Sequence, residues 1–182
     1  MIIDISRGLM ETPPYPGEQP PRLTVERDIK KGAAYHLQRL EMSLHVGTHI
    51  DAPLHFIADG ADIASVDLPL FMGACLVIPA EALEQLEAAP PRLLLRGVPN
   101  LSPRRIEHLL TLGIRLLGVE TASVGAAGDE AGPHVALLST GMALLENLDL
   151  GDAPDGPCEL VALPLRITGG EASPCRAVLL YP

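Results

Sequence analysis

The alternation of apolar and polar residues along the chain predicts short strands that alternate with short helices. Strands are expected at residues 1–6, 23–27, 75–78, 92–95, 114–119, 143–148, 160–167 and 176–180. Helices are expected at 81–88, from Ser102-Pro103 onward and at 134–138. The second of these has a clear start, since Ser is a good N-cap and Pro suits a first turn. The alternation of elements from residue 75 to 119 predicts an α/β fold with a mixed, partly parallel sheet.

A longer regular alternation begins at residue 38, with apolar side chains at even positions from 40 to 46. It predicts one half-buried strand that carries His45, His49 and Asp51 on a single face at its far end. On a flat strand His45 and His49 would stand roughly 13 Å apart, at about 3.3 Å per residue. Because that is too far for both to bind one ion, we expect the strand to bend or bulge at Gly47.

Candidate metal ligands are concentrated in this stretch. Three of the six histidines and one aspartate lie within eleven residues, from His45 to His55. Imidazole and carboxylate together are typical of a site for Zn²⁺ or a similar divalent ion, and a catalytic site needs about three ligands and an open position. The alternative is a polar face without a metal, which fits this clustering less well. His55 follows Pro53 on a different piece of backbone. This favours a role for His55 as a residue positioned over the ion, and not as a third imidazole ligand of the same ion.

The motif resembles the signature of the cyclase-like metal-dependent hydrolases, whose best-known members are bacterial kynurenine formamidases (arylformamidases). The matching residues are His45-x-Gly47-Thr48-His49-x-Asp51-Ala52-Pro53-x-His55-Phe56. The resemblance extends to the segments 12–17, 145–148 and 173–176, and so to most of the chain. It implies the family's swivelling β/β/α domain over residues 1–182, in a homo-oligomer such as a dimer or tetramer. No internal repeat or linker divides these residues.

The resemblance also implies a set of metal ligands. His45, His49 and Asp51 would hold a first divalent ion, and Asp51, His134 and Glu146 a second, so that Asp51 bridges the two. Zn²⁺ is the first candidate and Mn²⁺ the second, with one or two ions per chain. Taken without the resemblance, His134 and Glu146 would be ordinary residues.

The implied activity is the hydrolysis of N-formylkynurenine to kynurenine and formate. A divalent metal supplies an activated water and polarises the carbonyl, and His55 is the candidate general acid-base, with an unperturbed pKa near roughly 6.5. Tyr15 and Phe56 are expected to line the substrate pocket. Two alternatives stay open. One is the same chemistry on a cyclic amide (isatin-like) or a lactone. The scarcity of aromatic residues, of which the chain has five, and the short loop 124–133 favour it. The other is a metal-binding protein without catalysis, which would have no use for a free base such as His55.

Composition limits the partners. The formal charge of −10, without a Lys/Arg cluster, disfavours nucleic acid, so a small-molecule substrate is the expected ligand. The longest apolar run, near residues 68–80, is interrupted by Pro69, Gly73 and Pro79, and no charged-then-apolar leader opens the chain. These features predict a cytoplasmic protein without a membrane span. The three scattered cysteines are interpreted as reduced core residues.

Overall fold

The computed structural model describes residues 1–126 and 128–182. Its strands are β1 (Ile2–Asp4), β2 (Arg22–Arg27), β3 (Leu37–Glu41), β4 (His49–Asp51), β5 (Met72–Pro79), β6 (Arg92–Arg96), β7 (Leu116–Val119), β8 (Ala143–Glu146), β9 (Gly156–Val161), β10 (Ala172–Pro174) and β11 (Val178–Leu180). Its α-helices are α1 (Pro103–Thr111) and α2 (Ala131–Leu138), and short 3₁₀ helices span Ile29–Lys31, Pro53–His55, Leu68–Phe71 and Ala80–Gln85.

The main sheet is mixed, in the order β1-β11-β9-β5-β6-β7-β8-β4-β10. The central strands β5, β6, β7 and β8 lie side by side and run parallel to one another. The flanking strands pair antiparallel. The predicted fold class, a mixed sheet with a few short helices, is confirmed.

Apolar layers cover both faces of the central strands. In β6, Leu93, Leu94 and Leu95 are all fully buried. Leu94 belongs to one apolar cluster, whereas Leu93 and Leu95 belong to a second, which contains Leu109 of α1 and residues of α2. A strand buried on both faces has no polar alternation, which is why β6 is a continuous run of leucine.

The sheet curls so that the residues after β1 reach the C-terminal end of β8. Ile5 donates its amide to the Ala177 carbonyl at 3.0 Å and accepts a hydrogen bond from the Asp149 amide at 2.9 Å. Ser6 forms an isolated bridge with Leu148. The curl therefore places the segment after Ser6 beside the ends of β4 and β8.

The predicted continuous strand from residue 38 through the motif is wrong. β3 ends at Glu41 and pairs only with β2 in a separate two-stranded ribbon, whose residues are exposed. β4 begins at His49 in the main sheet. The predicted bend at Gly47 is confirmed, but it is part of a turn that spans residues 44–48 and not a bulge within a strand. The φ of Gly47, +66°, lies in the left-handed region that favours glycine. A Cβ on Gly47 would also lie 2.9 Å from Leu9 Cδ2.

Other element boundaries also differ from the prediction. The helix expected at 81–88 is a shorter 3₁₀ helix, and α2 begins at Ala131. The strand expected at 160–167 ends at Val161, ahead of Pro164, whose ring nitrogen cannot donate to a ladder. β10 has three residues and no apolar period, so no pattern predicted it. The helix from Pro103 is confirmed, with the Ser102 hydroxyl accepting from the Arg105 amide.

The cysteines carry free thiols in the folded chain. Cys75 and Cys158 are buried, and Cys175 is partly buried. Burial raises the pKa of the Cys175 thiol to about 12, which keeps it protonated at neutral pH. In residues 1–126 and 128–182, no helix has the length and apolar character needed to cross a membrane.

Candidate metal centre

The centre of the site is built where β4 pairs with β8. In this antiparallel register His49 lies opposite Glu146, and Asp51 follows two residues later on the same strand. His49, Asp51 and Glu146 are all buried, with Asp51 fully so. Because side chains two apart on a strand share a face, the pairing brings the three polar groups together inside the protein.

Backbone carbonyls orient two of the imidazoles. His49 Nδ1 lies 2.9 Å from the Gly47 carbonyl oxygen, and His134 Nδ1 lies 2.6 Å from that of Glu130. A carbonyl oxygen only accepts, so Nδ1–H is the donor and Nε2 is the unprotonated nitrogen in the neutral ring. Both Nε2 atoms therefore face the carboxylates with their lone pairs, which is the arrangement of metal-ligating histidines.

The five residues predicted as ligands form one cluster, in which three histidines surround Asp51. Its Oδ1 lies 3.0 Å from His45 Nδ1 and 3.5 Å from His49 Nε2, and its Oδ2 lies 3.5 Å from His134 Nε2. Glu146 closes the cluster, with Oε2 3.5 Å from His49 Nε2 and Oε1 3.3 Å from His134 Nε2. Glu146 Oε1 also accepts from the Val124 amide at 2.7 Å, which fixes the carboxylate.

The cluster fits a divalent metal. Among the described residues, His49 Nε2 and both carboxylate oxygens of Asp51 are buried without a hydrogen-bond partner. Such groups are costly to bury unless a cation satisfies them, and imidazole with carboxylate is a donor set that suits Zn²⁺.

Among the described residues, potential ligand atoms within 4.8 Å of one another form two groups, His49-Asp51-Glu146 and His45-Asp51-His55. Both contain Asp51, as a bridging carboxylate requires. The grouping differs from the predicted division between two ions, and the individual ligand roles stay a prediction.

The electrostatics of the cluster favour added positive charge. Burial by itself would lower the pKa of His49, but the carboxylates of Glu146 and Asp51 raise it to about 9. For His134, burial acts in the same direction and is outweighed by Asp51 and Glu146, which raise the pKa to about 10. Burial would raise the pKa of Asp51, yet His134 and His45 hold it well below its usual range. The carboxylates thus attract cations strongly, whether protons or a metal.

His55 lies over the cluster at the end of the 3₁₀ helix Pro53–His55. Its ring centroid is 4.2 Å from that of His45 and 5.8 Å from that of His134. Burial lowers the pKa of His55 from its ordinary value, despite the opposing effect of Asp51. The imidazole is therefore neutral near pH 7, which is the form that accepts a proton.

A cavity of about 550 Å³ opens above the cluster, within the usual range for small-molecule sites. Tyr15 and Phe56, both predicted to contact substrate, line it together with His55. Phe56 stacks on His134 with ring centroids 4.5 Å apart. The loop 124–133 contributes Glu130 to the lining; Ala127 of that loop lies outside the described residues.

Comparison with known proteins settles the family. The sequence profile described as "Putative cyclase" matches residues 3–94. The chain belongs to this cyclase family. A kynurenine formamidase from Polaromonas naphthalenivorans (strain CJ2) is 36% identical over 200 residues, covering 98% of this chain and 90% of the relative.

Solved structures of the same fold agree with this assignment. A potential metal-dependent hydrolase with cyclase activity superposes with a TM-score of 0.81 at 25% identity, covering 98% of this chain and 96% of the other. Isatin hydrolase A from Labrenzia aggregata superposes with a TM-score of 0.79 at 22% identity, covering 99% and 93%, and shows the shared fold alone. The comparisons confirm the predicted family and agree with the predicted hydrolase chemistry.

Several polar residues of this cyclase-family site were not predicted from the sequence, among them Arg7, Glu130 and Glu171. Glu171 Oε1 lies 3.4 Å from His45 Nε2, and Glu130 Oε1 accepts a hydrogen bond from the Tyr15 hydroxyl at 2.9 Å. Arg7 and Glu130 line the cavity. None lies in the motif or follows a period. Arg7 and Glu171 reach the site through the curled sheet, and Glu130 reaches it from the start of α2, so no local pattern identifies them.

Proposed function

We propose that this protein is a metal-dependent amide hydrolase that releases formate from N-formylkynurenine. The observation that carries the proposal is the buried histidine and carboxylate cluster around Asp51 at the floor of an open cavity. The identity of 36% to a kynurenine formamidase over almost the whole chain supports the choice of substrate.

The cluster would hold one or two divalent ions, with Zn²⁺ the first choice and Mn²⁺ the second. His45, His49, Asp51, His134 and Glu146 are the proposed ligands. A divalent metal in this position lowers the pKa of a coordinated water and polarises the formyl carbonyl. The cytoplasmic location and the small-molecule substrate stay predictions.

His55 provides the proton transfer that amide cleavage needs. The departing amine must gain a proton, and a neutral imidazole at the cavity floor can take one from the attacking water and deliver it to nitrogen. The ring of Phe56 contacts both His55 and His134, with its centroid 4.5 Å from each of theirs. It therefore supplies an apolar surface beside the reacting carbonyl. Tyr15 lines the same cavity from the proline-rich segment.

A second candidate substrate is a cyclic amide such as isatin. Two observations favour it: the shared fold with isatin hydrolase A, and a cavity whose described aromatic lining, histidines apart, consists of Tyr15 and Phe56. Buried aromatic rings normally contact aromatic or apolar walls, and two lining rings offer little such surface for the larger substrate, N-formylkynurenine.

The substrate is tested with purified protein loaded separately with Zn²⁺ and Mn²⁺. We expect formate release from N-formylkynurenine with a kcat/KM at least about tenfold above that for opening of the isatin ring, a difference of about 1.4 kcal/mol in transition-state binding. Turnover of isatin or a lactone without detectable formate release would transfer the assignment to the second candidate.

We further propose that two copies of the chain associate through the β2–β3 ribbon. Leu23 and Leu40 are register partners and, with Val25, share one face; they are 46%, 46% and 47% exposed. An isolated two-stranded ribbon is marginally stable in water, so an apolar face of this kind needs a covering surface. A second copy supplies one by self-complementary pairing, as the resemblance to homo-oligomeric hydrolases also implies.

Sedimentation tests this association. At micromolar concentration we expect the wild-type protein to sediment as a dimer or a larger oligomer and Leu40→Arg as a monomer, because the charge would have to be buried. Thr24→Arg, on the opposite face of the ribbon, is the matched control and should keep the wild-type mass. A monomeric wild-type protein would exclude the proposal.

A further inference from the structure

The cavity wall carries two opposite charges outside the metal cluster. Arg7 and Glu130 both line the cavity. Among the described residues, neither takes part in an ion pair, with each other or with any other residue. Within the described lining, Arg7 is the only arginine or lysine. Both charges are therefore available to a ligand.

Arg7 is held close to the metal cluster by its backbone and by one side-chain nitrogen. Its amide donates to Thr48 Oγ1 at 2.8 Å, and its Nε donates to the Leu148 carbonyl at 3.0 Å. Thr48 directly precedes His49, and Leu148 follows Glu146 by two residues. The guanidinium has further N–H donors beyond Nε, and their fork geometry matches a carboxylate.

Glu130 is fixed beside His134, a second member of the cluster. Its Oε1 accepts from the Tyr15 hydroxyl at 2.9 Å and from the Gly128 amide at 3.0 Å, which leaves Oε2 for a further donor. Its own carbonyl oxygen lies 2.6 Å from His134 Nδ1. Glu130 thus has a set position relative to a proposed metal ligand, and Tyr15 holds its carboxylate in place.

We propose that Arg7 and Glu130 form a paired-charge subsite that binds a substrate tail carrying both a carboxylate and an ammonium group, as in an α-amino acid. Arg7 binds the carboxylate, and Glu130 accepts hydrogen bonds from the ammonium group. This inference rests on the proposed amide hydrolase function and deepens it. It also distinguishes the two candidate substrates, because N-formylkynurenine has such a tail and isatin has none.

Glu18 is a competing acceptor for the ammonium group. It lines the same cavity, and its Oε2 is buried without a hydrogen-bond partner among the described residues. It also lines a second groove, at the base of the β2–β3 ribbon. Glu130, by contrast, is tied directly to His134. The Glu18→Gln variant is therefore the matched control for Glu130→Gln.

The kinetic test compares N-formylkynurenine with formanilide, a neutral aryl formamide without a tail. The measured quantity is kcat/KM for N-formylkynurenine divided by kcat/KM for formanilide. In Arg7→Gln and in Glu130→Gln, we expect this ratio to fall roughly 10- to 100-fold, chiefly through a higher KM for N-formylkynurenine, since each variant loses a charge-assisted hydrogen bond. Glu18→Gln should keep the wild-type ratio. A ratio unchanged in both variants would overturn the subsite, and a fall confined to Glu18→Gln would overturn the role of Glu130.

Binding of kynurenine separates this inference from the proposed function. Kynurenine keeps the amino-acid tail but has no formyl group, so calorimetry of metal-loaded protein measures the subsite without any turnover. We expect the Kd to rise roughly tenfold or more in each variant. If the wild-type protein releases no formate yet binds kynurenine through Arg7 and Glu130, the activity fails and the subsite stands. Equal affinity in wild type and variants would remove the subsite. If Arg7→Gln fails to fold, Glu130→Gln carries the test.

Discussion

The Asp51→Asn variant should lose its bound metal and, with it, formate release. Asp51 lies within 3.5 Å of three histidine nitrogens, and both of its oxygens are buried without a hydrogen-bond partner among the described residues. An amide keeps the shape of the side chain but removes the negative charge on which both potential ligand groups depend. Removing a residue that only hydrogen-bonds to a metal ligand typically costs about 10- to 100-fold in metal affinity or activity. Removing the shared ligand itself should therefore cost more than about 100-fold in activity.

Elemental analysis beside circular dichroism is the measurement for Asp51→Asn. Asp59→Asn, which removes an exposed carboxylate, is the matched control and should keep metal and activity. A folded Asp51→Asn protein with wild-type metal content would contradict the central role of Asp51.

The His55→Ala variant should keep its metal and lose roughly two to four orders of magnitude in turnover, the usual effect of removing a general acid-base. The ring of His55 stands over the cluster, 4.2 Å from that of His45, with its pKa lowered chiefly by burial. Methyl in place of imidazole leaves the amine leaving group without a proton donor but leaves the five proposed ligands in place.

The same variant distinguishes three roles for His55. Metal and activity falling together would make His55 a ligand, as the group His45-Asp51-His55 permits. Unchanged turnover with retained metal would exclude the acid-base role. His36→Ala is the control, since His36 is exposed and lies 3.8 Å from Asp28. A protein that binds metal without catalysis would show no turnover to lose.

Much of the fold followed from local sequence patterns. The leucine run of β6, the capped start of α1 and the alternation of strands with helices predicted a mixed sheet, and the structure has one. The motif segment was mispredicted because a period of two continues through residues 40–46 although the chain turns. β3 ends at Glu41, and the chain turns through Gly47, whose φ is +66°, before β4 begins at His49. Alternation alone does not show where a glycine adopts this conformation.

The candidate site divides in the same way. His45, His49, Asp51 and His55 lie in one motif, and the resemblance added His134 and Glu146, which the structure brings to the same cluster. Arg7 and Glu130 reach the cavity only because the curled sheet and the start of α2 bring distant segments together. Such contacts depend on tertiary structure and carry no local period.

The central claim, metal-dependent hydrolysis at the Asp51 cluster, is tested most directly by formate release as a function of bound metal. Wild-type protein is stripped with a chelator, its residual metal is measured, and Zn²⁺ or Mn²⁺ is added back stepwise. We expect formate release from N-formylkynurenine to fall to background in the stripped protein and to rise with bound metal until one or two ions per chain are present. Full formate release from protein shown to be free of metal, or none from protein carrying two ions per chain, would contradict it.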